Sequence, residues 1–342
     1  MNNWKEFCSA NNRRKFQILF VGGIAFCITT FFLSLCLGNI IFSPAELINA
    51  CTDKIGAGIT GSIFWYARLP RTLACFFAGT ALSVSGAVLQ SVLANKLASP
   101  SIIGVNAGAG LGVTICCAFG ILSGWAISAA AFAGSLIVVL LITLFSQHSN
   151  VSRTTVILGG VALNSVLNAF SESITVLNPD VAALNTEFRV GGFSAVSYAR
   201  LIPAIVLIVI ALLLLFTLCN ELDVVTLGDE TAQSIGLSVK KYRILFLILS
   251  ALLAGSAVSF AGLLGFVGLI VPHFMRSMIG NESRYLLPLC TFYGGGFVIL
   301  CDLEARMIFA PYELPVGILM AVIGGPLFVF LLLRYRGGHR NA

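Results

Sequence analysis

The sequence predicts an all-α integral membrane protein with about ten transmembrane helices. Three observations lead there: 58% of the 342 residues are apolar against 10% charged, long runs carry no charge, and the basic residues divide unevenly between alternate connections. A soluble domain carries about 25% charged residues, so this chain has too few to wet a folded surface. That excludes a cytosolic enzyme, a nucleic-acid binder and a disordered chain. The formal charge of +6 needs no acidic ligand, because basic residues gather on the cytoplasmic flanks of membrane proteins.

A helix crossing a bilayer needs about 20 largely apolar residues. Residues 16–38 and 72–95 reach that length without a charge, and 97–152 is long enough for two helices broken near Ser123-Gly124. Next come 154–177, interrupted by Glu172, and 201–219. The uncharged run 244–275 is too long for one helix. Gly262, Gly265, Gly268 and Pro272 divide it into one helix to about Ala261 and a shorter one beyond. Residues 285–303 and 314–333 complete the ten. Threading them with both termini in the cytoplasm leaves fourteen of the 20 basic residues inside and six outside: Lys54, Arg68, Arg71, Arg189, Arg200 and Arg306. That bias has the expected sign. The organisation is then a cytoplasmic flank at 1–15, one transmembrane domain at 16–335 with a cytoplasmic loop at 220–243, and a tail at 336–342. Asn12-Arg13-Arg14-Lys15-Phe16 faintly resembles a twin-arginine export signal, but the apolar run behind it exceeds a signal-peptide core and reads as an uncleaved first helix.

Soluble chemistry is hard to find. No phosphate loop, nucleophile elbow or zinc-protease helix occurs, and the three histidines (His148, His273, His339) are scattered. The ten cysteines form no C-x-x-C pair and fall mostly in apolar runs, where cysteine is a small hydrophobe. No metal site, disulfide framework or cofactor is expected. Glycines such as Gly79 with Gly86, and Gly104 with Gly108 and Gly112, suit close helix packing.

Polar residues inside apolar runs say more, since burying them in lipid is costly. Asn164, Asn168 and Glu172 recur every four residues on the fifth span, which puts them on one helical face. They line a permeation path or form a hydrogen-bond seam between helices. Arg68 and Arg71 precede the second span and Arg306 ends the ninth, all on the side where cations are scarce. They are interfacial anchors or a patch for an acidic protein partner, since guanidinium pairs bidentately with carboxylate. In the 220–243 loop, Asp229 and Glu230 open a short helical run that Gly236 ends. This is an ordinary interfacial loop or a docking element for a soluble protein.

Several stretches together resemble the iron-chelate and cobalamin (FecCD/BtuC-like) permeases, the membrane subunit of type II ATP-binding-cassette importers. They are Arg68-Leu69-Pro70-Arg71, residues 82–90 (LSVSGAVLQ), residues 97–108 (LASPSIIGVNAG), Leu227-Gly228-Asp229 with Ala232 and Ile235-Gly236-Leu237-Ser238, residues 265–273 (GFVGLIVPH) and Glu313-Leu314-Pro315-Val316-Gly317. The resemblance implies ten helices per subunit, a second permease (identical or paralogous), two cytoplasmic ATPase subunits and an extracytoplasmic substrate-binding protein. It also implies a bacterial cytoplasmic-membrane location, with no catalytic site on this chain. Residue by residue, Leu227, Gly228, Asp229, Glu230, Ala232, Ile235 and Gly236 would couple to the ATPase. Arg68, Arg71 and Arg306 would receive acids of the binding protein, and Ser152, Arg153, Thr154 and Thr155 would form the inner gate. Three departures stand out: Lys96 replaces a usual proline, residues 188–193 (FRVGGF) replace a tryptophan-led segment, and Arg153 puts a bulky cation at the gate. The wording of residues 97–108 is closest to ferric-siderophore members, so an iron chelate is the expected cargo, with haem next and cobalamin third. A carrier driven by ions through Glu172 is the alternative mechanism.

Overall fold

Eight long apolar runs, two of them read as helix pairs and two carrying a single acid (Glu172, Asp302), should give a helical bundle, and they do. A computed structural model describes residues 2–38, 40–52, 58–147 and 153–337, and every regular element among them is helical. In order they are α1 (Asn2–Cys36), α2 (Pro44–Thr52), α3 (Gly58–Ile63), α4 (Leu69–Val92), α5 (Val105–Ala118), α6 (Gly124–Gln147), α7 (Arg153–Leu177) and α8 (Pro179–Val190). Then follow α9 (Tyr198–Thr217), α10 (Cys219–Thr226), α11 (Asp229–Ser234), α12 (Val239–Ala261), α13 (Val267–Ile279), α14 (Ser283–Met307) and α15 (Val316–Gly337). Among the described residues seven helices are long and apolar enough to cross a membrane, and three shorter apolar ones lie at Val105–Ala118, Val267–Ile279 and Val316–Val329. These ten match the ten expected spans. Two are short for a cause: residues 97–104 turn before α5, with Gly104 at φ +100°, and Gly262 at φ +69° ends α12 before α13.

One boundary differs. The second span does not begin at residue 72 but runs unbroken from Gly58 to Val92, through a π-helical turn at Phe64–Arg68. Arg68 and Arg71 therefore sit within a helix, with Pro70 tolerated in the opening turn of α4.

Helix α4 is the axis of the bundle. It is mostly buried and packs on α14, α12 and α13, whereas α1, α6, α7 and α9 expose apolar sides. Glycine permits the tightest crossings: a Cβ on Gly79 would overlap the Gly294 carbonyl of α14, and one on Gly86 the Gly268 carbonyl of α13. Dispersion between close backbones is what holds helices together where lipid offers no hydrophobic gain.

At the Arg71 end of the bundle the helix ends are tied together. Gly192 N–H donates to Ala261 O (2.9 Å), Leu263 N–H to Phe188 O (3.0 Å) and Gly317 N–H to Gly191 O (3.1 Å), joining α8, α12 and α15. A small satellite core of Phe42, Leu47, Ala50 and Phe64 packs α2 beside them. Helix α2 starts with a capping box: Ser43 N–H donates to Glu46 Oε2 (2.7 Å) and Glu46 N–H to Ser43 Oγ (3.3 Å). Bonds from the Ser43 backbone and hydroxyl hold the Glu46 carboxyl below its usual range.

Candidate functional site

The chemistry concentrates at the Arg71 end. Arg71 enters from the first turn of α4, and Asp302 and Arg306 from the last turns of α14. The Asp302 carboxylate is buried and accepts from Arg71 Nη2 (2.9 Å) and Arg71 Nε (3.1 Å to each oxygen), and it forms an ion pair with Arg306, whose Nε lies 3.1 Å from Oδ2 while donating to the Asp302 backbone carbonyl (3.4 Å). Arg71 also donates through Nη1 to Glu313 Oε2 (2.7 Å), and Arg306 through Nη2 to Ser34 Oγ (2.8 Å). Arg68 donates to the carbonyls of Leu35 and Ile40 and lies 4.2 Å from the Phe42 ring centroid. Those carbonyls lie at and just beyond the end of α1. Three cations thus face two carboxylates, and the surplus charge rests on carbonyls and a ring.

Sequence reading placed these arginines on an outer surface. The structure brings all three together but sinks two: Arg68 is 6% exposed and Arg306 4%, because internal acceptors engage both guanidinium groups. They still line a cavity of about 220 Å³, with Arg71, Tyr66, Ser194 and Glu313. The arrangement offers a recessed positive socket, not projecting charges. Asp302 and Glu313 were missed as partners. Asp302, four residues before Arg306 and still within the apolar run 285–303, was the available signal.

The α7 stripe splits. Asn164 Nδ2 donates to the carbonyls of Ser101 (2.9 Å) and Ile102 (3.0 Å), pinning the turn before α5. That is the seam alternative. Asn168 and Glu172 are exposed. The buried side of α7 carries Ser171, whose hydroxyl meets Thr114 Oγ1 at 2.7 Å while Asn185 Nδ2 donates to the same Thr114 oxygen at 2.7 Å. Val166 and Ala169, rotated from the stripe, are also exposed in the single chain. Water and lipid are separable by labelling. In a background without native cysteines, Asn168→Cys and Glu172→Cys are expected to react with a small water-soluble thiol reagent, while Val166→Cys and Ala169→Cys stay slow. Equal rates for the two pairs would place the whole face in one environment and remove the path assignment. Of the four residues expected at a gate, Ser152 lies outside the described residues, Arg153 opens α7, and Thr154 and Thr155 are exposed in its first turn.

At the opposite end, residues 220–243 fold into α10, α11 and the start of α12. Gly228 (φ +105°) and Gly236 (φ +91°) bound the short α11. Leu227 and Ile235 stand 60% and 63% exposed beside the exposed acids Asp229 and Glu230. Ala232 does not: it is fully buried, so it anchors α11 and cannot contact a partner directly. Arg243 Nη2 holds Asp229 Oδ1 at 2.6 Å, fixing α11 to α12. Asp223 accepts from Ser283 N–H (2.9 Å), capping α14 from the same loop.

This architecture has relatives. The FecCD transport family model matches residues 26–334. The uncharacterized ABC transporter permease protein YvrB of Bacillus subtilis (strain 168) is 32% identical over 350 aligned positions, 98% of this chain and 99% of its own. The vitamin B12 import system permease protein BtuC of Klebsiella pneumoniae subsp. pneumoniae is 32% identical over 344 positions, with 98% and 99% covered. Among solved structures, an inward-facing metal-chelate type ABC transporter superposes with a TM-score of 0.83 at 28% identity, over 93% of this chain and 99% of that one.

Proposed function

The chain belongs to the FecCD transport family, and from that premise we propose that it is the permease subunit of a type II ATP-binding-cassette importer moving a ferric siderophore across the bacterial cytoplasmic membrane. The observation that carries the reading is likeness along the whole ten-helix body, ends included, to permease proteins. ATP hydrolysis then falls to two partner ATPase subunits, and the path lies between this chain and a second permease. Both termini are cytoplasmic, so the Arg71 end faces outward.

The two ends suit the two soluble partners. A carboxylate of the substrate-binding protein entering the socket of Arg68, Arg71 and Arg306 would meet pre-aligned guanidinium groups already stripped of water. The exposed Leu227 and Ile235 around α11 suit an apolar cleft on the ATPase. Asn168 and Glu172 line the path, and Ser152 to Thr155 form the inner gate.

A cobalamin cargo is the second reading, favoured by relatives named for vitamin B12 import. The binding protein decides between them, because cargo is selected before the permease is engaged. Its titration with a ferric siderophore, haemin and cyanocobalamin is expected to show tight binding of the siderophore alone. Selective retention of cyanocobalamin would establish the second reading instead. In vesicles supplied with ATP, uptake by the assembled importer is expected to survive collapse of the proton gradient. Loss of uptake there would make Glu172 the coupling group of an ion-driven carrier.

A further inference from the structure

Away from the socket and the path, α6, α9 and α12 enclose a cavity of about 230 Å³ at the Arg71 end. Its walls are apolar, with Phe132 from α6 and Pro203 and Leu207 from α9. Of its three serine hydroxyls one is spent, Ser259 Oγ donating to Ser256 O at 2.7 Å, and two are not. Ser256 is buried with no partner for its hydroxyl, and the buried hydroxyl of Ser128 has none either. The Arg200 guanidinium finds no acceptor among the described residues. It lies flat on Gly124, the first residue of α6, where any Cβ would overlap it.

These features converge on an anion with an apolar tail. The start of a 24-residue helix carries about half a positive charge, and here a cation rests against it. Ser123 Oγ caps the Ala126 N–H at 3.4 Å, which leaves those of Gly124 and Trp125 without an intrahelical partner. That combination binds phosphate. The slot beneath is lined by hydrocarbon, which a free phosphate would leave empty. Trp125, 62% exposed at the rim, is the residue type that marks the membrane–water interface. The acid Glu187 lines a neighbouring cavity that shares Arg200 and is engaged by the Ser194 hydroxyl at 2.9 Å. We propose that this crevice is a binding site for one anionic phospholipid of the adjacent leaflet. Its phosphodiester lies on Arg200 and the α6 start, and one acyl chain runs along Phe132 and Leu207.

The rim tryptophan supplies the assay. The chain has three tryptophans, Trp4, Trp65 and Trp125, so Trp4→Phe with Trp65→Phe leaves Trp125 as the only reporter in the full chain reconstituted into vesicles. Quenching by acyl-brominated phosphatidylglycerol is compared with that by acyl-brominated phosphatidylcholine. The expected relative association constant favours the anionic lipid about fivefold, the scale of one cation near an anionic surface. Arg200→Gln should bring the ratio to about one by the same reasoning. Gly124→Ala keeps the cation but lifts it from the helix start, and should lower the ratio too. Equal quenching by both lipids in the unsubstituted reporter chain would overturn the proposal, as would no quenching by either, which would mean protein covers the crevice. So would a preference that persists in both variants. Abolition of the preference by glycerol 3-phosphate in the buffer would assign the site to a soluble anion and also overturn it.

Discussion

Asp302→Ala is expected to destabilise the chain by about 3–5 kcal/mol, the usual cost of stripping one partner from a buried ion pair. Asp302 sits between Arg71 and Arg306, accepting hydrogen bonds from the first and ion-paired with the second. The two arginines would not suffer equally. Arg71 keeps Glu313, whereas Arg306 would retain only Ser34, a long bond to Leu37 O at 3.5 Å and the backbone carbonyl of residue 302. Most of the loss should therefore come from an uncompensated Arg306 charge. Adding Arg306→Met to Asp302→Ala removes that charge and should recover part of the stability, making the double substitution less harmful than the sum of the singles. Thermal unfolding of the purified chains in one detergent measures the cycle. An Asp302→Ala chain with an unchanged midpoint, or strict additivity, would mean the arginines reach water and the socket is not dry.

How far the sequence carried this architecture follows from which constraints are local. A membrane span is a local requirement, and the ten expected spans satisfy it without reference to one another. The socket is not local. It draws Ser34 and the carbonyls of Leu35 and Ile40 from the end of α1 and its loop, Arg68 and Arg71 from the second span, and Asp302, Arg306 and Glu313 from beyond residue 300. Ending the span at a charge assumes that charge meets water. Here it meets carbonyls and carboxylates, so the helix runs on to Gly58. The fourfold spacing on α7 was legible, but not that the Ser101–Ile102 turn lies against Asn164 while Asn168 stays exposed. Helix α2 could have been read: Ser43-Pro44-Ala45-Glu46 places a cap, a first-turn proline and an acid in capping-box order. Ala232, a small apolar residue in a polar loop, pointed inward for the same kind of reason.

Leu227→Asp combined with Ile235→Asp is expected to abolish ATP-driven uptake while leaving the permease itself intact. Both side chains are mostly exposed, so their replacement removes little packing within the chain, and its thermal midpoint should shift little. Against an ATPase cleft the arithmetic is different. Burying a Leu or Ile is worth about 1.5–3 kcal/mol, and 1.4 kcal/mol is a factor of ten in affinity. Each substitution should thus weaken ATPase association at least about tenfold, before counting the cost of desolvating a new carboxylate beside Asp229 and Glu230. Two other changes look similar on the sequence and differ physically. Ala232→Arg forces a cation into a fully buried position, and Gly228→Pro demands a φ near −65° where the backbone stands at +105°. Both should lower the chain's own midpoint, so lost uptake in either says little about contact. Co-purification with the ATPase, read beside the thermal midpoint, separates the two classes. If the Leu227→Asp, Ile235→Asp chain keeps its ATPase and its uptake, α11 is a solvent-facing turn and the coupling surface lies elsewhere on this end of the bundle.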